Sequence, residues 1–256
     1  MSNILAIAHK ELKSYFASPI AYIVIGFSAI LFGWFFVNLL YYFDRMSLQA
    51  APGLGGAESV NVNEMLISPL FLNVSVILLF TLPLVTMRTY SEEKRSGTIE
   101  LLLTYPIRDG EVLLGKFVAA AALYAMLLAF TLVYPGLVAH FGRLEWSAVA
   151  TGYLGMLLLG CALLSIGVFF SSLTENQIVA GFATFGLLLG LWVIGWGADF
   201  AGGTMRTVLQ YLSLGDHLDS FGKGVIETKD VVYFASVIAL ALFLTLRALD
   251  SKRWKG

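Results

Sequence analysis

Six runs of about 20 apolar residues constrain this chain more than any other feature. A backbone in hydrocarbon has no water to bond, so it must pair its polar groups internally as a helix long enough to cross. The runs cover approximately residues 20–42, 70–87, 112–138, 149–170, 178–196 and 231–249, and their interiors hold almost no charge. At 256 residues the chain has the length of an ordinary soluble protein, but 58% hydrophobic and 13% charged residues do not cover such a protein in water. The expected fold is therefore all-α and membrane-embedded, a single domain over residues 1–256 with six transmembrane helices. The first run is about twice a signal-peptide core, so it is expected to stay as an anchor, with the N-terminus retained.

Orientation follows from the positions of lysine and arginine, since cationic segments stay cytoplasmic. With the N-terminus inside, Lys10, Lys13, Arg88, Lys94, Arg95, Arg108, Lys116, Arg247, Lys252, Arg253 and Lys255 fall on the cytoplasmic side. Arg45, Arg143, Arg206, Lys223 and Lys229 fall outside. An even number of spans returns the chain to its starting side, so both termini are expected in the cytoplasm. The net charge of −1 gives no reason to expect a nucleic-acid partner. The single cysteine, Cys161, sits in an apolar run and reads as a small packing residue.

Before the first span, residues 4–16 read as an amphipathic helix. Ile4, Leu5, Ala8, Leu12, Tyr15 and Phe16 share one face, Lys10 and Lys13 lie opposite, and Glu11 breaks the apolar face. Pro19 ends this helix and lets the chain turn into the membrane. A helical extension of the first span is the alternative. On the outer side, residues 43–68 and 197–230 read as polar loops, with Trp192 and Trp196 at the interface.

The most charged stretch, MRTYSEEKRSGTIELLLTYPIRDGEVLLGKF, joins the second and third spans. Ser91 is placed to cap a helix, Glu92 and Glu93 lie in its first turn where the helix dipole favours negative charge, and Lys94 and Arg95 hold it at the cytoplasmic surface. Gly97 interrupts it. Thr98 restarts a helix whose Ile99, Leu101, Leu102 and Leu103 are apolar, and Pro106 stops it before Asp109 and Glu111 open the third span. Such leucines must be buried in headgroups, in the bundle or in a docking partner, and physics alone leaves these open.

The same stretch resembles the signature of ABC-2 type transporter permeases. An acidic pair (Glu92, Glu93), Gly97 with Thr98, Glu100 with Leu101 and Leu102, Pro106, and Glu111 followed by Gly115 and Lys116 occur in that family's order. KELKSYFASP (10–19) resembles the family's opening elbow helix. YLSLGDHLDSFGKGVIETKDVVYF (211–234) is similar to its gliding-motility and nitrous-oxide-maturation branch. The resemblance implies an N-terminal interfacial elbow helix (1–19) and a cytoplasmic coupling helix (91–105). It also implies a non-catalytic subunit of a bacterial inner-membrane complex, with ATP and magnesium on a separate dimer of ATP-binding subunits. A second permease copy or relative would complete the membrane pathway, with an auxiliary membrane or periplasmic subunit as a further partner. Glu92, Glu93, Gly97, Thr98, Glu100, Leu101, Leu102 and Pro106 would then form the ATPase-coupling interface. Glu175 and Asn176, in the short cytoplasmic turn 171–177, would form a second contact and cap the fifth span.

Other signals are weaker. GEVLLGK (110–116) has Walker A spacing, but Phe117 stands where a magnesium-binding Ser or Thr belongs and the run opens a membrane helix, so Lys116 is expected to snorkel at the interface. Asp216, His217 and Asp219 cluster in a segment that reads as a solvated turn without zinc spacing. No HExxH, EExxxR or membrane aspartate pair supports an intramembrane protease. Gly186 and Gly190 form a GxxxG in the fifth span, and Gly152, Gly155 and Gly160 make the fourth smooth; packing within the subunit is the expectation for both. An ATPase-independent carrier or channel is the rival function, and the sparse intramembrane charge argues against it. The substrate is not legible.

Overall fold

The computed structural model describes residues 3–49, 61–98, 107–141, 144–198 and 200–253. Helix α1 (Asn3–Ala17) is the expected amphipathic helix, and it ends one residue before α2 (Pro19–Gln49). Pro19 occupies the first helical position of α2, where its missing N–H removes no hydrogen bond. A π-turn (Asn63–Ile67) leads into α3 (Ser68–Thr86), and the short α4 (Ser91–Arg95) follows. Next come α5 (Asp109–Thr131), α6 (Val133–Phe141), α7 (Trp146–Leu173) and α8 (Gln177–Ala198). The chain closes with α9 (Gly203–Leu212), α10 (Leu214–Gly222) and α11 (Thr228–Arg253). The described residues contain no strand.

Six helical stretches are long and apolar enough to span a bilayer: Pro19–Gln49, Asn63–Arg95, Asp109–His140, Trp146–Leu173, Gln177–Ala198 and Thr228–Ser251. Each apolar run of the sequence falls within one of them. The third is broken at Leu132, between α5 and α6, two residues before Tyr134 and Pro135, whose ring cannot donate a backbone bond. Burial ranks the spans: 61% of the apolar window of the second and 67% of that of the fourth are covered, against 22% for the fifth and sixth. α3 and α7 are thus the axis of the bundle, and α2, α8 and α11 present their outer faces to lipid.

Association in lipid gains little from apolar burial, so close backbone approach and dispersion must hold the axis together. The glycines of α7 supply that approach. A side chain at Gly152 would overlap the Phe71 ring, at Gly155 the Phe221 side chain, at Gly160 the Tyr124 ring and at Gly167 Thr86. Tyr124 completes its fit by donating a 2.5 Å hydrogen bond to the Met156 carbonyl. The GxxxG of α8 behaves otherwise: among the described residues nothing lies within 4 Å of a Cβ placed at Gly186 or Gly190, so these two do not pack against them as expected.

The segment expected as an outer loop over 197–230 contains two helices. α9 buries none of its residues, whereas α10 buries Leu214, His217, Leu218, Phe221 and Gly222. α10 docks where α3 and α7 begin and α8 ends: Gly222 meets Ser68, Gly224 meets Ala148, and Gly195 meets Ser213. Gly224 takes a positive φ of 84° to turn the chain toward α11. Trp192 lies against Gly215, while Trp196 stays exposed as an interfacial residue would.

Gly160→Leu should lower stability by about 1–3 kcal/mol, because the ring of Tyr124 and its hydrogen bond must move. Gly186→Leu should change it by less than about 0.5 kcal/mol. Thermal unfolding of the purified protein in detergent compares the two, and equal effects would contradict the contrast in packing.

Candidate functional site

The end of the bundle opposite α10 carries the charged α3–α5 connection. α4 begins as the sequence suggests, with Glu92 and Glu93 in its first turn, but Ser91 does not cap it. Ser91 is fully buried, and its hydroxyl donates to the Ser171 carbonyl at 3.1 Å. Ser171, near the end of α7, returns the connection: its Oγ accepts from the backbone N–H of Tyr90 at 2.9 Å and of Ser91 at 3.1 Å. Lys94, expected at the surface, is buried and donates from Nζ to the Ser172 carbonyl. α7 ends with unpaired carbonyls, and α4 supplies the donors they require.

Lys116 departs furthest from expectation. It is not a snorkelling charge: its side chain is 2% exposed, and Nζ lies 2.7 Å from Glu93 Oε1 and 3.1 Å from Glu11 Oε1. Nζ also donates to the Thr89 carbonyl at 3.0 Å and sits 5.2 Å from the centre of the Tyr90 ring. One buried ammonium therefore joins α1 (Glu11), the end of the α3 connection (Thr89, Tyr90), α4 (Glu93) and α5. Desolvating a cation this far is costly unless it is paired, which explains why two carboxylates converge on it. Glu11, anomalous on an apolar face, is there for Lys116.

The rest of the EVLLGK motif fits the same crossing. Glu111 accepts from the Arg108 backbone N–H at 3.2 Å, satisfying the start of α5, and from Asn3 of α1 at 3.2 Å. Gly115 allows α1 to lie against α5, since a Cβ there would fall 2.7 Å from Ile7 Cβ. Gly110 to Lys116 lie within α5 as a regular helix, not as an open phosphate-cradling loop.

Glu92 points the other way. Its side chain is 53% exposed and pairs with Arg88 across one turn at 3.1 Å, while Arg88 also reaches Ser18 at 3.4 Å. Glu11, Tyr15, Ser18, Arg88, Thr89 and Glu92 line a 120 Å³ polar cavity beneath α1. Loss of hydration pushes the Tyr15 phenol up to about 12, so it stays a neutral hydroxyl beside these charges. Gly97 ends α4 at φ 70°, a backbone conformation that favours glycine, and Thr98 is exposed at 2.9 Å from Ser96 Oγ. Glu100, Leu101, Leu102 and Pro106, with residues 99–105 of the expected coupling helix (91–105), lie outside the described residues.

The expected second contact lies beside α4. Glu175 and Asn176 are exposed in the turn between α7 and α8, directly after the Ser171 and Ser172 carbonyls that hold α4. Asn176 caps α8 as expected, its Oδ1 accepting from Ile178 N at 2.9 Å. Glu92, Gly97, Thr98, Glu175 and Asn176 thus occupy one face at one end of the bundle, whereas Glu93 is turned inward. Sequence reasoning missed Lys116, Glu11, Lys94 and Ser171 as parts of this site; the carboxylate on the apolar face of α1 was the available signal. Asp216, His217 and Asp219 do not form a solvated turn, because His217 is buried at the opposite end and pairs with Asp230.

Lys116→Met should destabilise the protein by about 3 kcal/mol, since Glu93 and Glu11 would lose their counter-charge. Adding Glu93→Gln and Glu11→Gln to it should recover most of that loss. Chemical or thermal unfolding of the variants measures both, and a triple variant no better than the single one would argue against the ion triad.

The model of the family described as "ABC-2 family transporter protein" matches residues 3–246. Two curated relatives carry the name "Probable ABC transporter permease protein NosY". The one from Pseudomonas aeruginosa is 35% identical over 107 residues, covering 39% of this chain and 37% of the relative. The one from Stutzerimonas stutzeri is 29% identical over 154 residues, covering 55% of this chain and 53% of the relative. The matched stretches are thus about half the length of those relatives or less. A family match over nearly the whole chain, on a bundle with six helices able to cross a membrane, identifies this multi-pass protein as a member of the ABC-2 family of transporter proteins.

Proposed function

We propose that this chain is the non-catalytic permease subunit of an ATP-binding cassette transporter, driven by separate ATP-hydrolysing subunits that dock on the α4 end of the bundle. The observation that carries the reading is the way α4 is held. A five-residue helix on a flexible connection could not transmit force, but here Ser171 and Ser172 tie it to α7, and Lys116 ties it to α1 and α5. A push on its exposed face would move three elements together. Glu92, Gly97 and Thr98 form that face, with Glu175 and Asn176 as its neighbouring contact, and Glu100, Leu101, Leu102 and Pro106 would extend it.

The excess of lysine and arginine on this side supports a cytoplasmic location for it, with both termini on the same side and the complex in the inner membrane. ATP and magnesium belong on the partner. A second permease would complete the pathway, with an auxiliary membrane or periplasmic subunit as a further partner, and the relatives' names, ABC transporter permease, support the permease role. A secondary carrier or channel remains the competing reading, and it differs in requiring no ATPase.

Charge reversal distinguishes the two carboxylates. Glu92→Lys should leave insertion and stability nearly unchanged while lowering the amount of ATP-binding subunit that copurifies by about tenfold, the usual cost of a mismatched docking charge. Co-expression with ABC ATP-binding subunits from the same genome, followed by affinity purification, provides the measurement. Wild-type permease that carries no ATPase would favour the carrier reading, and an ATPase that still binds the variant would remove Glu92 from the interface.

A further inference from the structure

The geometry assigns a proton-binding site to His217 and Asp230, at the end of the bundle opposite α4, where the proton latches the α9–α10 hairpin to α11. His217 Nδ1 lies 2.6 Å from Asp230 Oδ1, and Nε2 lies 3.0 Å from the Tyr211 carbonyl oxygen. A carbonyl oxygen only accepts, so Nε2 must carry hydrogen. The contact with Asp230 then needs one further proton, on Nδ1 as an imidazolium or on the carboxyl. Both arrangements make the pair neutral overall with one proton held between the residues. The alternative, a neutral ring donating from Nδ1, sets the Nε2 lone pair against a carbonyl lone pair and leaves a net negative charge in a buried site.

The surroundings make that charge matter. His217 and Asp230 are 4% and 0% exposed, and Asp230 Oδ2 has no hydrogen-bond partner among the described residues. The Tyr233 ring stacks on the imidazole at 3.9 Å, and its hydroxyl donates to the Leu212 carbonyl at 2.9 Å. Tyr211 meets the ring edge-on. Helices α3, α7 and α8, which pack against α10, contain no Asp, Glu, Lys, Arg or His. Tyr153 of α7 is engaged with Thr131. On α10, Asp219 and Lys223 pair with each other in solvent, as do Glu227 and Lys229 at the start of α11; Asp216 and Arg206 of α9 are exposed, and Glu64 and Glu145 lie at the neighbouring rim. Within the packed interior Asp230 is the charged group that faces His217. It sits in the first turn of α11, where the helix dipole favours its carboxylate.

Loss of the proton to bulk water leaves a ring with one N–H facing two acceptors. Either the Tyr211 carbonyl, which closes α9 onto α10, or Asp230, which holds α10 to α11, loses its donor. The site therefore binds a proton in exchange for fastening the hairpin.

Hydrogen exchange of the full chain in lipid nanodiscs tests this, with rates corrected for intrinsic exchange and referred to α7. Amides of residues 203–222 in the wild type should lose about tenfold or more of their protection as pH rises from about 5 to about 9. Asp230→Asn should abolish that slope while retaining protection, because the introduced amide can donate to a neutral Nδ1 while Nε2 keeps its hydrogen. A flat wild-type profile, or the same slope in the variant, overturns the proposal. Should the variant not fold, ¹⁵N spectra of the wild-type ring in a His9→Gln, His140→Gln background give a second readout, since the chain holds three histidines. The resonances of the His217 nitrogens should move together with the loss of protection, and nitrogens that do not change over that range also overturn it.

Discussion

The ammonium of Lys116 is the interaction on which the α4 end of this bundle depends. A membrane protein cannot use water to solvate a buried cation, so the chain must bring compensating oxygens to it from wherever they lie in sequence. Here they come from Glu11, Thr89 and Glu93, the farthest of them 105 residues away in sequence. The elbow helix, the connection after α3 and the start of α5 are thereby fixed relative to one another. The same requirement explains Ser171, whose single hydroxyl accepts two backbone N–H groups that lipid-side packing would otherwise leave unpaired.

Between the two polar ends the bundle relies on shape. α7 is central because its glycines let Phe71, Tyr124, Phe221 and Thr86 press against its backbone, gaining dispersion contacts that apolar burial does not provide in lipid. Contacts along this one helix reach both ends: Gly167 packs on Thr86 just before the α4 connection, and Gly155 packs on Phe221 of α10. α7 is thus a physical link between the face proposed to meet an ATPase and the hairpin proposed to be latched by a proton.

Much of the fold was legible because spanning segments answer to a solvent that tolerates few exceptions. Length and lack of charge placed every span, and Pro19 marked the corner between α1 and α2. Where sequence reasoning misled, the cause was a default assumption about charge and polarity. A lone lysine usually sits at a surface, which is what local sequence suggests for Lys116 and Lys94, and the glycine-containing start of 197–230 suggests a loop. His217 was grouped with Asp216 and Asp219 because they are neighbours in sequence, although the helix turns them to different sides.

By itself, the sequence determined the class of solvent, the number of crossings, the amphipathic opening helix and the family motif, because each is written in local composition or contiguous spacing. The tertiary structure decided which charges are used and which are offered. Glu92 and Glu93 are adjacent and chemically identical, yet one faces out beside Arg88 and the other closes on Lys116. The docking of α4 on the end of α7, which turns Glu93 toward Lys116 of α5, makes that difference. Pairing across long sequence separations depends on packing geometry, and no local pattern in the chain encodes it.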